Sequence, residues 1–249
     1  MFMLSSYGRR QWLTVAAMGV MLTATLAVCA TWWASVLAAL ATLGLLSFFR
    51  DPDRRIPTQR SIMVSPADGH VSAIENLEWF DFFGEPALCV RIFLSVFDVH
   101  INRSPCHGLV ASISPKRGAH LSALKPRSAR LNSSNLILVR HPTNGRFVAA
   151  VRQVAGALAR TIICRVRPDQ IVQRGQRIGM IVLGSTTELY VPASLQPQAK
   201  VAIGQKVRGG QTVLVTIKSA PGRPTPDGVS NQPADGTAAD SESDRHAAP

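Results

Sequence analysis

The sequence predicts a mainly β protein of the α+β class, a barrel-sandwich-like domain of short strands and glycine turns behind an N-terminal helical membrane anchor. Three observations predict it. Residues 11–49 carry no charged side chain and are dominated by Leu, Ala, Val, Met and Trp. From residue 56 onward, short β-rich runs alternate with glycine and proline. Four segments in that region repeat two glycine-turn frames.

The anchor comes first along the chain. A hydrocarbon core of ~30 Å takes roughly 20 helical residues, so residues 11–49 are too long for one upright helix and suit two tightly joined ones. Arg9 and Arg10 precede the run, and Arg50, Arg54 and Arg55 follow it. Cytoplasmic flanks carry the excess of Lys and Arg. Positive charge at both ends therefore predicts a helical hairpin over residues 1–55, with both ends and the following domain on the cytoplasmic side of the cell membrane. Trp32 and Trp33 fall at the far interface. One long tilted helix or a re-entrant anchor fits the same residues. A cleaved signal peptide fits poorly, because the apolar run far exceeds a typical h-region and Arg50 follows it directly.

Residues 56–218 form the predicted β domain. Strand-like runs lie at 71–74, 88–93, 109–113, 136–139, 147–151, 162–166, 178–183, 189–191 and 212–217, and helical periodicity is confined to 154–160. Ser65-Pro-Ala-Asp-Gly-His-Val71 and Ser104-Pro-Cys-His-Gly-Leu-Val110 share a Ser-Pro-x-x-Gly-x-Val frame. Residues 172–178 and 203–210 share a Gly-Gln-basic-aliphatic frame. Related hairpins of this kind suit a barrel-sandwich, while their irregular period excludes a solenoid. Residues 219–249 are rich in Pro, Gly, Ala, Ser and Asp with almost no large apolar residues, which predicts a disordered tail.

The formal net charge of +12 favours an acidic partner. Zinc-finger spacing, basic heptad helices and aromatic-and-basic RNA motifs are all missing, so nucleic acid is set aside and an anionic membrane surface is the expected partner. A merely solubilising basic surface accounts for the same charge. Cys29, Cys89, Cys106 and Cys164 form no Cys-x-x-Cys pair and read as reduced thiols. His70, His107, His120 and His141 lack ligand-like spacing, and no metal site is predicted.

One dipeptide carries latent chemistry. Gly184-Ser185 lies between a glycine-punctuated run and a strand-like segment. A serine hydroxyl held against the preceding carbonyl converts the amide to an ester; elimination and hydrolysis then leave a pyruvoyl group on the new N-terminus. Glycine before the serine leaves that carbonyl uncrowded. Taken alone, Gly-Ser equally marks a hairpin turn.

Its company decides. With Leu183-Gly184-Ser185-Thr186 stand Phe48-Phe49-Arg50-Asp51-Pro52, Ser65-Pro66-Ala67-Asp68-Gly69, Phe97-Asp98-Val99-His100-Ile101-Asn102-Arg103-Ser104-Pro105 and Val154-Ala155-Gly156-Ala157-Leu158-Ala159-Arg160. In this order they resemble the short bacterial and archaeal phosphatidylserine decarboxylases, from the anchor to about Ile217. The resemblance implies a proenzyme that cuts itself between Gly184 and Ser185, giving a β chain (1–184) and an α chain (185–249) that stay together as a heterodimer. Ser185 would become a covalent pyruvoyl cofactor, forming a Schiff base with the amine of phosphatidylserine and acting as electron sink for loss of CO2. The product would be phosphatidylethanolamine.

Within the resemblance, Asp68 matches an aspartate that assists self-cleavage through a histidine, and His100 matches an acid-base residue near the pyruvoyl. Read without it, Asp68 caps a turn and His100 is a satisfied strand histidine. Arg103 replaces a second histidine of the long-form enzymes, and its forked guanidinium suits a phosphate or carboxylate of the substrate. Leu183 and Thr186 look more like the long form, and Leu131-Asn-Ser-Ser-Asn135 replaces an expected Asn-Glu-Arg element. Two other readings stand beside the decarboxylase: a non-catalytic membrane-tethered barrel-sandwich adaptor, and a related decarboxylase acting on another amino-lipid. Sustained heptads, usual in such adaptors, are absent.

Overall fold

Turn chemistry organises the β region. A computed structural model of the chain describes residues 4–5, 7–29, 32–119, 121, 131–156, 161–181 and 185–218. Two helices, α1 (Arg9–Cys29) and α2 (Trp32–Ser47), precede strands β1 (Ile62–Val64), β2 (Gly69–Phe80), β3 (Glu85–Leu94), β4 (Ile101–Arg103), β5 (Gly108–Lys116), β6 (Ser134–Arg140) and β7 (Phe147–Val154). Then come β8 (Ile162–Cys164), β9 (Ile171–Val172), β10 (Arg177–Ile181), β11 (Ser185–Pro192), β12 (Pro197–Ala199), β13 (Lys206–Val207) and β14 (Val213–Ile217). The mainly β class with N-terminal helices is as the sequence predicts. Of the helical stretch expected at 154–160, Val154 instead closes β7 and residues 157–160 lie outside the described residues, as do Gly184 and the tail at 219–249.

A curled antiparallel sheet of eight strands runs β13-β2-β3-β11-β7-β6-β5-β9, and two three-stranded sheets, β1-β14-β12 and β4-β10-β8, pack at its flanks. The main core lies between them, joining Val71, Val90, Ile92 and Leu189 of the large sheet to Met63, Ile178, Leu214 and Val215 of the small ones. Its outer face is covered by aromatic residues, with Phe80 stacked on Tyr190 at 4.3 Å.

The repeated frames are two halves related by an approximate two-fold. Val64 N–H donates to Pro105 O at 3.0 Å and Arg103 N–H to Pro66 O at 2.8 Å. Gly210 N–H donates to Ser65 O and Gly175 N–H to Ser104 O, both at 2.8 Å. Ser65 Oγ donates to Ala67 O at 2.6 Å, and Ser104 Oγ to Cys106 O at 2.8 Å. Gly175 and Gly210 have φ of 76° and 77° and face each other across the axis, where a side chain would strike Ile56. Glycine is required there by both conformation and space. β11 and β7 are the central pair, registered Thr186 to Val154 and Tyr190 to Ala150.

Helix α1 is long and apolar enough to cross a membrane, and α2, with 16 residues, is shorter. Thr42 fills the space where Gly19 would carry a side chain, so the two helices pack closely. Thr23 and Thr42 return their hydroxyls to the carbonyls of Gly19 and Ala38 at 2.8 and 2.7 Å. Polar groups satisfied inside the helix are tolerable where water is scarce.

A charged linker, residues 50–55, follows α2. Asp51, 4% exposed, pairs with Arg103 at 3.0 Å and with Arg177 at 2.6 Å. Arg54 pairs with Asp68 at 2.7 Å. Removing one partner of a buried pair strands the other charge. Asp51→Ala should therefore cost about 3 kcal/mol, a Tm fall of roughly 10 °C at this chain length, read by thermal melting in detergent; an unchanged Tm would show that the linker pair does not hold the fold.

Candidate active site

Ser185 opens β11, every residue of which is buried. It pairs in register with Leu94 of β3, and the following residues are bonded to both β3 and β7. Two short connections bring this end of β11 to His100. On one side, Leu94 is followed by a turn in which Asp98 Oδ2 accepts the Ser95 N–H at 2.9 Å and Asp98 N–H donates to Ser95 O at 3.1 Å. That turn leads directly into His100. On the other side, Ile181 at the end of β10 donates its N–H to His100 O at 3.2 Å, and only residues 182–184 separate Ile181 from Ser185. Register thus places the serine and the histidine at the same end of the barrel.

His100 is fully buried, and its ring packs on Phe48 at 4.0 Å between centroids. Its Nδ1 lies 2.8 Å from Asp98 O. A carbonyl only accepts, so Nδ1 carries the proton and Nε2 presents a lone pair. Burial pushes the imidazole down to about 4, against a smaller opposite pull from Asp98. His100 is therefore neutral at pH 7, and burial disfavours its protonated form. Among the described residues, its Nε2 and the Oγ of Ser185 are both buried without a hydrogen-bond partner. An unpaired buried polar atom costs about 1–3 kcal/mol, and such atoms point to a role other than stability.

The faces of the two segments are fixed by a ladder of side chains that sequence reasoning missed. Asn102 Nδ2 donates to Thr187 Oγ1 at 3.0 Å, Gln153 Nε2 to Asn102 Oδ1 at 2.9 Å, and Asn135 Nδ2 to Gln153 Oε1 at 3.0 Å. Asn102 stands two residues after His100, and Thr187 two after Ser185, so Ser185 shares the β11 face that is turned toward β4. On the opposite face, Glu188 is held by Arg91 at 2.8 Å, Arg152 at 3.4 Å and the Tyr190 hydroxyl at 2.5 Å. The only hint in the sequence is a polar or charged residue inside an otherwise apolar strand.

Asp68 and Arg103 occupy other positions than expected. Asp68 Oδ2 is paired with Arg54, and its Oδ1 accepts the Gly209 N–H at 2.7 Å; burial raises its carboxyl against the pull of Arg54. No hydrogen bond joins Asp68 to a histidine among the described residues. Arg103, 6% exposed, spends its donors on Asp51, Pro52 O and Gly175 O, each at 3.0 Å. A substrate phosphate could reach it only by displacing Asp51. The carboxylate that Arg103 holds is thus one of the chain's own, 52 residues earlier in sequence.

Among the described residues, no three His, Cys, Asp or Glu side chains come together as metal ligands. All four cysteines are free, and burial raises the Cys106 thiol to about 12, which leaves it inert at neutral pH.

Comparison with known proteins follows the same line. The phosphatidylserine decarboxylase family model matches residues 43–215. The chain is similar to phosphatidylserine decarboxylase proenzymes of Syntrophus aciditrophicus (40% identity over 74% of this chain and 85% of the relative). Similar matches are found in Desulfotalea psychrophila (41% over 72% and 81%) and Carboxydothermus hydrogenoformans (38% over 75% and 85%). The match runs from the end of α2 to β14, covering the linker, both halves of the barrel and the Ser185 strand. The chain therefore belongs to the phosphatidylserine decarboxylase family.

Proposed function

We propose that this decarboxylase is made as a proenzyme that breaks its own backbone between Gly184 and Ser185 and then converts phosphatidylserine to phosphatidylethanolamine and CO2. The observation that carries the reading is Ser185 itself, a fully buried hydroxyl without a partner among the described residues, at the first position of the central strand.

In self-cleavage, Ser185 Oγ gives up its proton and adds to the Gly184 carbonyl carbon; the carbon–nitrogen bond breaks and the nitrogen takes a proton, leaving an ester. Loss of the residue 185 α-proton then expels the Gly184 carboxylate from Cβ. The resulting enamine tautomerises, and water replaces the nitrogen as ammonia. The chains ending at 184 and beginning at 185 stay together through the β3 and β7 ladders. Ser185 fits as the precursor because its hydroxyl has no hydrogen-bond partner among the described residues and the residue is pinned in register.

A pyruvoyl carbonyl supplies an electrophile for the substrate amine and a sink for the electron pair left by CO2. The rest falls to side chains. Neutral His100 offers its Nε2 lone pair to the substrate nitrogen, takes a proton from it as that nitrogen bonds to the electrophile and becomes acidic, and returns the proton to the carbon that loses CO2. Asp68 and Arg103 act as positioning residues, tying the linker to the glycine turns of the barrel. The α1–α2 hairpin sits in an anionic membrane with both ends on the cytoplasmic side, supported by Arg9, Arg10, Arg50, Arg54 and Arg55 flanking the apolar run.

Ser185→Ala should migrate as one uncut chain without decarboxylase activity; cleavage of that variant would refute the assignment. His100→Ala should still cut but turn over at least about 100-fold more slowly, with product measured on phosphatidylserine and on other amino-lipids. Unchanged turnover would remove His100 from the reaction. His100 also sets a pH dependence. Its folded value lies near 4 against 6.5 ordinarily, so its contribution is full above pH 6.5 and is lost as pH falls toward 4. Between pH 7 and 5 the uncut Ser185→Ala chain should lose about 2 kcal/mol from this group, and adding His100→Gln should remove that part of the decline in thermal melts.

A further inference from the structure

A groove of about 670 Å³ runs between the domain-proximal ends of the anchor helices and the turn before His100. Val15, Ala41, Gly44, Leu45 and Phe48 form its apolar walls, and Arg50 is the one cation lining it. Its size falls in the ~300–1,000 Å³ range of small-ligand pockets. The groove is not isolated from the chemistry. Phe48 lines it and also packs on the His100 ring at 4.0 Å. Beside it, Val96 and Phe97 are 39% and 83% exposed, extending the apolar surface of the helices onto the domain.

Arg50 is built into this place. It follows the C-terminal end of α2, where its Nη1 donates to Ser47 O at 3.0 Å and its Nη2 to Phe97 O. These two carbonyls fix the guanidinium and leave N–H donors unused, including Nε–H. No carboxylate is paired with it among the described residues, in contrast to Arg54, Arg103 and Arg177, which are all engaged by aspartates. A cation held by carbonyls at the mouth of an apolar groove, at the level where helices leave the bilayer, is complementary to a lipid with a phosphodiester between its tails and its head group.

Building on the decarboxylase reading, we infer that the groove takes one acyl chain of the phospholipid substrate and that Arg50 binds its phosphate, so that the serine head group is delivered past Phe48 to His100 and residue 185. The phosphate and the serine α-carbon are separated by a single oxygen and methylene, so the cation that holds the phosphate must stand beside the reacting group. Arg50 meets this: its charge is felt at His100, where it adds to burial in keeping the ring neutral. The anchor then does more than tether the enzyme, since its domain-facing ends form part of the substrate site.

Two variants separate the parts of this inference, each compared with the wild type after maturation to two chains. Arg50→Gln should raise KM for phosphatidylserine about tenfold or more, for both dioleoyl and dihexanoyl forms, with Arg50→Lys intermediate. It should also weaken calorimetric binding of dihexanoyl phosphatidylethanolamine, which needs no turnover. Gly44 lines the groove and has nothing within 4 Å of where a side chain would begin, so Gly44→Trp introduces bulk there with no clash at its Cβ. It should raise KM for dioleoyl phosphatidylserine about tenfold while changing the dihexanoyl lipid far less. If Arg50→Gln fails to mature, Arg50→Lys and Gly44→Trp carry the test. Constants for both lipids within about twofold of wild type in every matured variant would overturn the inference, and an effect of Arg50 alone would overturn the acyl-chain half. A wild-type enzyme that leaves phosphatidylserine untouched would instead refute the decarboxylase reading, and binding of dihexanoyl phosphatidylethanolamine would still report on the groove.

Discussion

The structure depends on β11 being paired along both edges. Its residues are paired with β3 from Ser185 to Pro192 and with β7 from Thr186 to Tyr190, and all of them are buried. A central strand is the hardest element to remove from a sheet, because both ladders and both faces must be lost together. It is also the place where a backbone break does least harm if it falls at the end of the strand. A cut before Ser185 leaves the new terminus clamped by neighbours that are covalently on the other side of the break. The chemistry proposed for this family member and the topology of the sheet thus demand the same thing of residue 185.

Around that strand, polar groups are placed for position more than for stability. The carboxamide ladder from Asn135 through Gln153 and Asn102 to Thr187 orients β4 against β11. Each member is satisfied, as a buried network must be. His100 Nε2 and Ser185 Oγ, just beyond its end, have no hydrogen-bond partner among the described residues. The linker adds a second constraint, since Asp51 and Arg54 lock the chain leaving α2 onto the two central glycine turns. The end of α2 and the His100 ring therefore meet directly at Phe48.

How far this was legible from residues alone follows from how local each signal is. The related hairpins could be read because Ser-Pro-x-x-Gly frames write their turn geometry into adjacent residues, and the structure repeats their hydrogen bonds pair by pair. The two apolar helices were legible from the uncharged length of residues 11–49. β11 was legible only from residue 189 onward, because Ser-Thr-Thr-Glu looks like a polar turn. Its burial rests on partners such as Asn102 and Arg91, about 90 residues away in sequence. Asp68 and Arg103 pair with Arg54 and Asp51, 14 and 52 residues away in sequence, and nothing beside either residue reveals those pairings. Ser185 stood out because Gly184-Ser185 stands in order with four other motifs spread along the chain.

The most direct measurement is intact-mass analysis of the wild-type protein purified from cells, under native and denaturing conditions. The account predicts one native species that separates on denaturation into two polypeptides. The smaller should begin at residue 185, with a blocked terminus lighter than a serine-ended chain by one ammonia. A single polypeptide with an intact amide between residues 184 and 185 would contradict it.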